Sequence, residues 1–482
     1  GLPIGEAMFL GLPVITTSWG GQMDFCTPDN SWLIDYKYAY SETHFGLTSS
    51  VWALPDVQQL SFLMKQLYEC DSDELTTKID NAKKTVSNFT WSSCSQKNID
   101  FVNSRLLQRR PVNPIIGWIS TWNSRCGIAS YSKNLSFGID DLTYILAPSD
   151  ELLEEKDEIN VRRCWNLNSP NLDSLFKEIN NNHISSLVIQ FNFGFFELID
   201  FINLINKAVK DKKSIIIFMH STIKPNQTSQ DQFDDLINIF RICNAVFVHT
   251  PSDMNRLKDS GLVDNVFLFP HGIIDEFETP KKNNFELILK GEKSLVLSSF
   301  GFCLPNKGLE QLIHSIPYLL DKGLSIELKL YSSIYNSKIS TDLFDNLTHL
   351  IEKTNLSDII TINGDFLTVS ESIDYLSSTD LIVLPYQESN ESSSAAVRHA
   401  LASGTAVAVT PLSIFQDVHD LTFTLPGFTS QLIAEGIYNL VSKNNLMNGK
   451  IKTIQKWYDQ NKFSLLSKRL EGFIKAIERE KI

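Results

Sequence analysis

Two successive series of short β-branched runs, alternating with amphipathic helical patterns, occupy the chain from about residue 111 onward. The runs that predict strands in the first series are residues 115–120, 187–191, 214–219, 245–249 and 266–269. Those of the second series are residues 295–299, 326–331, 359–363, 381–385 and 406–410. Because strands joined by helices pair in parallel, each series predicts a doubly wound α/β lobe. We expect these lobes to span residues 111–280 and 281–482, with the final stretch from Ile454 helical.

Residues 1–110 show too few strand patterns for a complete lobe of this kind. They predict helices around Glu6, 57–69 and 91–107, with one strand at 13–17. An internal repeat relates them to the second series: Ala7, Gly11, Val14, Thr17 and Asp24 recur at one offset as Ala400, Gly404, Val407, Thr410 and Asp417. Unrelated segments match at only about one position in fifteen. We therefore expect residues 1–110 to be the second lobe of a preceding module, truncated because the chain starts at Gly1 without Met.

The composition excludes several classes of protein. The net charge of −13 argues against a nucleic-acid-binding protein, which normally presents a basic surface. The seven cysteines are scattered, with no pair at Cys-x-x-Cys spacing, and predict neither a zinc site nor a disulfide framework. No run approaches the roughly 18 apolar residues of a membrane-spanning helix, and no signal-peptide pattern opens the chain. These features are typical of a cytoplasmic protein.

A strand, a polar loop and a helix follow one another in the second series. The strand ends at Pro385, residues 386–394 are rich in Ser and Glu, and a helix begins at about Ala395. Ligands of open parallel sheets lie beyond the carboxyl ends of the strands, and the free amides of a helix N-terminus favour a phosphate. The pattern therefore indicates a phosphate site near Ser393, Ser394 and Ala395. A Ser-rich cap on an ordinary helix would give the same pattern.

The most specific motifs lie in and beside this helix. Glu391 precedes His399 by eight positions, and His399 lies in a stretch of small residues that ends at a Gly404 turn. This arrangement resembles the Glu-x7-Glu signature of the retaining GT-B glycosyltransferases that use nucleotide sugars (glycosyl transferases group 1, family 4). In that family the helix ends in a pattern like Glu-Ala-Met-Ala-x-Gly-x-Pro-Val, which residues 6–14 carry almost letter for letter. The resemblance implies the GT-B fold: two Rossmann-like lobes facing a cleft, with a final helix crossing back to the first lobe. A partial C-terminal lobe of another GT-B module would precede them here.

Four further segments are similar to parts of the same family. Residues 299–308 are similar to its Gly-Arg-x4-Lys-Gly loop; Lys307 occupies the lysine position, but Phe302 stands where the family has arginine. Residues 364–367 resemble the segment beside the nucleotide base. Residues 123–131 resemble the Gly-rich turn after the first strand, with Cys126 at one glycine position and Gly127 at the other; a plain helix start is the alternative. His220 follows a buried strand where the family has a histidine that faces the donor sugar, and a structural histidine is the alternative.

The resemblance implies transfer of a sugar from a nucleotide-diphospho-sugar to a glycan or lipid-linked acceptor, with retention of configuration and without a metal or other cofactor. It implies catalytic roles for Glu391, His220 and Lys307. The residues that it implies in donor binding are Gly127, Phe302, Gly364, Asp365, Phe366, Leu367, Ser393, Ser394, Ala395 and His399, with Glu6 in the preceding module. Polysaccharide biosynthesis in the cytoplasm, with peripheral attachment to the inner face of a membrane, is an expectation at the level of the family.

Two departures from the family pattern leave other interpretations open. The second Glu, which holds the ribose hydroxyls in the family, is His399 here, and a neutral imidazole cannot replace a bidentate carboxylate. Phe302 removes one of the two cations that neutralise the donor diphosphate in the family. A degenerate, non-catalytic GT-B module that binds glycan or acts as a scaffold for its neighbour fits these departures. A sugar-nucleotide epimerase or a phosphorylase of GT-B fold is a third alternative.

Overall fold

The computed structural model describes residues 1–106, 113–280, 285–335, 337–443 and 446–481. These residues fall into two compact units. The small unit lies within Gly1–Val112 and includes the last few residues of the chain, from Arg479. The large unit lies within Asn113–Glu478. Among the described helices, none has both the length and the apolar character needed to span a lipid bilayer.

The small unit consists of helices and two short sheets. Its elements are α1 (Leu2–Phe9), β1 (Ile15–Thr17), β2 (Trp32–Ile34), β3 (Tyr36–Tyr40), β4 (Val51–Pro55), α2 (Val57–Tyr68), α3 (Ser72–Val86) and α4 (Trp91–Leu106). β1 pairs in parallel with β2, whereas β3 and β4 form an antiparallel hairpin. The sequence patterns predicted α1, β1, α2 and α4 but missed the hairpin, β2 and α3.

Residues 113–280 form the first lobe of the large unit. Its elements are β5 (Ile116–Ile119), α5 (Gly127–Phe137), β6 (Thr143–Pro148), β7 (Val161–Trp165), α6 (Asp173–Asn181), β8 (Ser186–Phe191), α7 (Leu198–Lys210), β9 (Ser214–Met219), α8 (Gln230–Arg241), β10 (Ala245–Val248), α9 (Pro251–Asp259) and β11 (Val266–Leu268). The strands form one sheet in the order β11-β10-β9-β8-β5-β6-β7, and every pair in it is parallel. Strands β5, β8, β9 and β10 are buried along their whole length, as expected of a sheet covered by helices on both faces.

The second lobe follows within the described residues from 285 onward. Its elements are α10 (Glu286–Leu289), β12 (Leu295–Phe302), α11 (Leu309–Asp321), β13 (Ile326–Ser333), α12 (Lys338–Lys353), β14 (Ile360–Asn363), α13 (Val369–Ser377), β15 (Leu381–Leu384), α14 (Ala395–Ala402), β16 (Ala406–Val409), β17 (Phe423–Thr424), α15 (Ser430–Val441), α16 (Ile451–Asn461) and α17 (Phe463–Glu480). Its sheet has the order β14-β13-β12-β15-β16-β17 and is also entirely parallel. The two separate parallel sheets confirm the predicted α/β fold of two Rossmann-like lobes.

The final helix of the chain packs against the first lobe. Ser467 Oγ on α17 donates a hydrogen bond of 2.6 Å to the main-chain oxygen of Leu135 on α5. Glu478, near the end of α17, accepts hydrogen bonds from Ser186 and Ser214, which begin the central strands β8 and β9. The helix thus belongs to the packing of the first lobe although it follows the second lobe in sequence.

The internal repeat corresponds to a repeated local structure. In the small unit, helix α1 is followed by Gly11 in the left-handed region (φ +77°), strand β1, a 3₁₀ helix at Gly21–Asp24 and the parallel strand β2. In the second lobe, α14 is followed by Gly404 (φ +69°), β16, a 3₁₀ helix at Ser413–Val418 and the parallel strand β17. The same series of elements therefore occurs twice in the chain, with the hairpin β3–β4 added in the small unit.

Candidate functional site

The strand order of each large-unit sheet reverses once, and ligands of open parallel sheets bind where this reversal occurs. The reversal lies between β5 and β8 in the first sheet and between β12 and β15 in the second. The loops at the carboxyl ends of these strands therefore form the candidate site. In the second lobe, the lysine loop (residues 303–308) follows β12, and the serine loop (residues 386–394) leads into α14.

The lysine loop is held against the start of the serine loop. The amide of Gln387 donates to the main-chain oxygen of Asn306 over 2.9 Å. Lys307 ends a 3₁₀ helix, and α11 begins two residues later, at Leu309. The Lys307 ammonium lies 4.0 Å from the centre of the Tyr386 ring. Burial disfavours the charge on Lys307, but the Tyr386 hydroxyl and the Glu391 carboxylate outweigh it and raise the pKa of the ammonium group. The lysine loop therefore presents a positive charge that interacts electrostatically with Glu391.

Gly308 permits this close approach of the two loops. Its φ of +70° is in the left-handed region, and a Cβ at this position would lie 2.0 Å from the main-chain oxygen of Pro385. Gly308→Ala should therefore destabilise the protein by more than the roughly 1–2 kcal/mol that the left-handed conformation alone costs a non-glycine residue. Gly323→Ala is a matched control, because Gly323 has a φ of +83° with nothing within 4 Å of the added Cβ. Urea unfolding of both variants measures the difference; equal losses would show that the contact with Pro385 is not restrictive.

The serine loop ends in a capped helix. Ser394 Oγ accepts a hydrogen bond of 3.4 Å from the amide of Val397, so Ser394 is the N-cap of α14, as the cap interpretation predicts. Gly127, the first residue of α5, faces this helix end across the cleft, and a Cβ on Gly127 would lie 4.0 Å from the Cβ of Ala395. The Gly-rich turn of the first lobe and the helix N-terminus of the second are thus opposite each other. Glu391 lies in the serine loop, three residues before Ser394, and is exposed.

A buried ion pair that the sequence patterns missed lies next to the serine loop. Arg398 on α14 donates to the carboxylate of Asp417 and, over 3.0 Å, to the main-chain oxygen of Ser394. Ser393 Oγ donates to the same carboxylate over 3.1 Å. Both charged side chains are almost fully buried. The recurrence of Asp417 as Asp24 in the internal repeat is the one signal in the sequence that singled out part of this pair.

His399 lies one helical turn into α14 with its ring in a constrained environment. Its Nδ1 is 2.8 Å from the hydroxyl of Ser372, and its ring stacks on Phe300 at a centroid distance of 5.2 Å. Burial lowers the pKa of His399 to about 4, so the side chain is neutral at pH 7. The position that carries a carboxylate in the resembling family therefore carries no charge here.

The segment expected beside a nucleotide base is lined by aromatic rings. Phe302 stacks on Phe366 with ring centres 6.1 Å apart and meets the ring of Tyr335 edge-on at 5.3 Å. From the first lobe, the Arg125 guanidinium lies over the Phe366 ring, 5.6 Å from its centre. Phe302 thus makes apolar ring contacts within the second lobe.

The remaining residues of this segment have local structural contacts. The amide of Asp365 donates to Asn363 Oδ1 over 2.7 Å, and the main-chain oxygen of Asp365 accepts from Ser333 Oγ over 2.8 Å. A Cβ on Gly364 would come within 3.0 Å of Ile334. Leu367 is half-buried beside them. These contacts fix the course of the chain from β14 to α13.

His220 is buried at the carboxyl end of β9, on the first-lobe side of the cleft. Its Nε2 donates to Gln190 Oε1 over 2.7 Å, and its ring packs edge-on against Tyr131 at 5.1 Å. Burial, with a smaller contribution from His249, holds the pKa of His220 well below its usual range. The imidazole of His220 is therefore neutral. The main-chain oxygen of His220 makes a separate contact with the second lobe, where it accepts a 3.0 Å hydrogen bond from the amide of Ser392.

Two further histidines join His220 in a buried cluster around Tyr131. The ring of His249 lies 5.3 Å from those of both His220 and His271, and Tyr131 lies 4.9 Å from His271. Burial lowers the pKa of both added histidines, His271 the more strongly. A sequence signal for this cluster exists, because the three histidines follow three successive strands, β9, β10 and β11, that are neighbours in the sheet.

A cavity of about 770 Å³ opens between the lobes beside the Gly-rich turn. Side chains of both lobes line it: Thr121, Ser124, Arg125, Cys126, Asp150, Glu151, Leu152, Glu154, Leu167, Phe195, Ile334, Tyr335, Ser337, Lys338 and Thr341. Arg125 is paired with Glu154 at 2.8 Å, and burial raises the pKa of Glu151. The lining is therefore polar and contains more carboxylates than cations. In the part of the chain that the structure describes, no group of three or more His, Cys, Asp or Glu side chains could hold a metal ion.

The large unit is similar in fold to solved structures of two-lobed proteins. HepE from Anabaena in complex with UDP superposes with a TM-score of 0.60 at 13% identity, over 75% of this chain and 100% of that one. Sucrose-phosphate synthase from Thermosynechococcus elongatus gives a TM-score of 0.57 at 12% identity, over 76% of this chain and 100% of that one. The fold is GT-B.

A further solved structure agrees with the GT-B assignment of the fold. A trehalose-phosphate synthase from Burkholderia xenovorans in complex with glucose-6-phosphate gives a TM-score of 0.56 at 9% identity, over 75% of this chain and 99% of that one. HepE has also been solved with UDP-glucose. No protein-family model matches the sequence, and no curated protein matches it.

Proposed function

We propose that the large unit is a glycosyltransferase that moves a sugar from a nucleotide-diphospho-sugar to a glycan or lipid-linked acceptor, with retention of configuration. The observation that carries this proposal is the position of the Lys307 ammonium, which is charged, interacts electrostatically with Glu391 and lies over the Tyr386 ring. The Tyr386 hydroxyl in turn lies 3.4 Å from Ser394 Oγ, the N-cap of α14. A cation and a helix N-terminus at the reversal point of a parallel sheet suit a diphosphate. The GT-B neighbours that bind UDP and UDP-glucose support a donor of this class.

The proposed reaction depends on positioning and on electrostatic stabilisation rather than on a metal. Lys307 and the free amides at the start of α14 would stabilise the diphosphate as it leaves the sugar. Glu391 would hold the sugar and stabilise the positive charge that develops at its anomeric carbon. His220, neutral and held by Gln190, would position the sugar from the first lobe.

The acceptor would occupy the cavity beside the Gly-rich turn. Three carboxylates, Asp150, Glu151 and Glu154, line it with two cations, Arg125 and Lys338, and Arg125 is paired with Glu154. Carboxylates accept hydrogen bonds from sugar hydroxyls and repel phosphate, so this lining favours a neutral, hydroxyl-rich acceptor. A product assay with neutral and phosphorylated sugars as competing acceptors distinguishes the two classes.

A second function, glycan binding or scaffolding without catalysis, is favoured by two observations. Phe302 fills the position of the second diphosphate cation and stacks on Phe366. His399 is neutral and engaged with Ser372, so it supplies no carboxylate to a ribose. A module of this kind would retain the lobes and the cleft but bind no nucleotide sugar.

His399→Glu should separate the two functions. A carboxylate at this position restores the ribose acceptor of the resembling family, and we expect donor binding to tighten by about 1 kcal/mol, the scale of a hydrogen bond to a charged group. Isothermal titration with a panel of nucleotide sugars measures the change. His349→Glu, which adds the same charge at an exposed position of α12, should leave donor affinity unchanged. If neither the wild type nor His399→Glu binds any donor, the non-catalytic function is the correct one.

We further propose that residues 1–110 belong to the second lobe of a preceding GT-B module. The support for this is the repeated series of helix, left-handed glycine, strand, 3₁₀ helix and parallel strand. Glu6 on α1 stands at the position that His399 holds on α14, and it is exposed. The donor-binding role assigned to Glu6 would therefore belong to that preceding module and not to the large unit.

A further inference from the structure

The serine loop is attached to the first lobe on both sides of Glu391. Ser221 Oγ donates to the main-chain oxygen of Asn390 over 2.6 Å. On the other side, Ser392 makes two bonds: its amide donates to the main-chain oxygen of His220 over 3.0 Å, and its hydroxyl donates to Asp253 Oδ1 over 2.9 Å. The residue before Glu391 and the residue after it are thus both fixed by the opposite lobe.

Asp253 is the rigid end of this attachment. It is fully buried at the start of α9, where its Oδ2 accepts from the amide of Thr250 at 3.1 Å and from the hydroxyl of Thr250 at 2.6 Å, closing a capping box. Its Oδ1 accepts from Thr222 Oγ1 and from an Arg256 guanidinium nitrogen, each over 2.6 Å. Arg256 also donates to Thr222 over 2.7 Å. A buried carboxylate with this many partners is held in one geometry. Its hydrogen bond to Ser392 therefore fixes the position of Ser392 relative to the first lobe.

The serine loop itself supplies little that would hold Glu391. The loop has no regular secondary structure, and Glu391 is exposed, with its amide donating only to Ser389 Oγ at 3.1 Å. A side chain that stabilises developing charge has to be held close to its productive position. The contacts at the two residues that flank Glu391, Asn390 and Ser392, come from the first lobe.

We propose that Asp253 is a positioning residue that acts on Glu391 through Ser392, so that Glu391 is placed for reaction only when the two lobes are in contact. The role assigned to Glu391 rests on the proposed transferase function. Asp253 would touch neither donor nor acceptor. Its effect would appear in kcat, because the attachment orients the loop without contributing to donor affinity.

Ser392→Ala tests this proposal in the full chain by removing the hydroxyl that reaches Asp253. We expect kcat to fall roughly tenfold, the equivalent of one lost hydrogen bond, with donor KM changed less than about twofold. Ser221→Ala should give the same pattern from the other side of Glu391. Ser252→Ala is the matched control, since Ser252 Oγ bonds Gln416 Oε1 of the second lobe over 2.6 Å without touching the serine loop, and its kcat should remain near that of the wild type.

Hydrogen–deuterium exchange supplies a readout that does not depend on transfer. The main-chain amide of residue 392 should exchange faster in Ser392→Ala and in Asp253→Asn than in the wild type, and Ser252→Ala should not change its exchange rate. In a double-mutant cycle, Asp253→Asn with Ser392→Ala should lower kcat by less than the product of the single effects, because both remove one contact. Unchanged kcat in Ser392→Ala and Ser221→Ala, with transfer by the wild type intact, overturns the positioning role alone. Absence of transfer by the wild type with every donor overturns the proposed function.

Discussion

Glu391→Gln should lower kcat for sugar transfer by about 100-fold or more, the effect of removing one charge-stabilising group from a preorganised site. Positive charge develops at the anomeric carbon only as the bond to the diphosphate breaks. The carboxylate therefore interacts more strongly with the transition state than with the bound donor, and its loss should change donor KM much less than kcat. Glu388→Gln removes the same charge from the same loop and should keep most of the activity.

Lys307→Ala should impair the reaction by a different route. The donor diphosphate is charged both when bound and as it leaves, so the Lys307 ammonium would stabilise both states. Donor KM should then rise while kcat falls. Lys322→Ala is a suitable control, because Lys322 also lies over a tyrosine ring. It is the C-cap residue of α11, at the opposite end of that helix from the lysine loop, and its ammonium lies 4.5 Å from the ring centre of Tyr438 on α15. Steady-state kinetics over a range of donor concentrations distinguish the two patterns. Equal effects of Glu391→Gln and Lys307→Ala on kcat and KM would contradict the separate roles.

The second large effect concerns the pH dependence of stability. His399 has a pKa of about 4 when folded, against 6.5 for a free histidine, so below pH 6.5 the unfolded chain binds more protons than the folded one. Stability is therefore fully present above pH 6.5 and is lost as the pH falls towards 4. For His399 alone, the loss between pH 7 and pH 5 is on the order of 2 kcal/mol. Burial depresses the pKa of His220, His249 and His271 as well, so the whole cluster acts in the same direction.

Urea unfolding at pH 7 and pH 5, followed by tryptophan fluorescence, measures this loss. We expect the free energy of unfolding of the large unit to fall by several kcal/mol, the sum of such contributions. His399→Gln should reduce the difference in the free energy of unfolding between pH 7 and pH 5 by the amount that His399 contributes. His349→Gln, at an exposed position, should leave the difference unchanged. The same stability at both pH values would show that the buried histidines do not stay neutral in the folded protein.

The sequence determined the two-lobed α/β fold of the large unit by itself. Parallel strands buried on both faces are continuous β-branched and apolar runs, so β5, β8, β9 and β10 were recognisable to within a residue or two. Strands β6 and β7 were both missed; β7 lies at the edge of its sheet and carries two arginines, Arg162 and Arg163. The two loops of the candidate site were also recognisable, since each lies between a strand and a helix that are consecutive in the chain: Lys307 between β12 and α11, and Glu391 and Ser394 between β15 and α14.

The tertiary structure alone decided which charged and polar groups meet. Asp253 and Ser392 are 139 positions apart, and no periodicity in the sequence relates them. Arg398 and Asp417 lie in different elements, a helix and a 3₁₀ turn, and become a buried pair only when the second sheet is packed. The physical reason is that hydrophobic periodicity reports which face of an element is buried, whereas the partner of a buried polar group depends on the crossing and register of elements that the chain brings together from a distance.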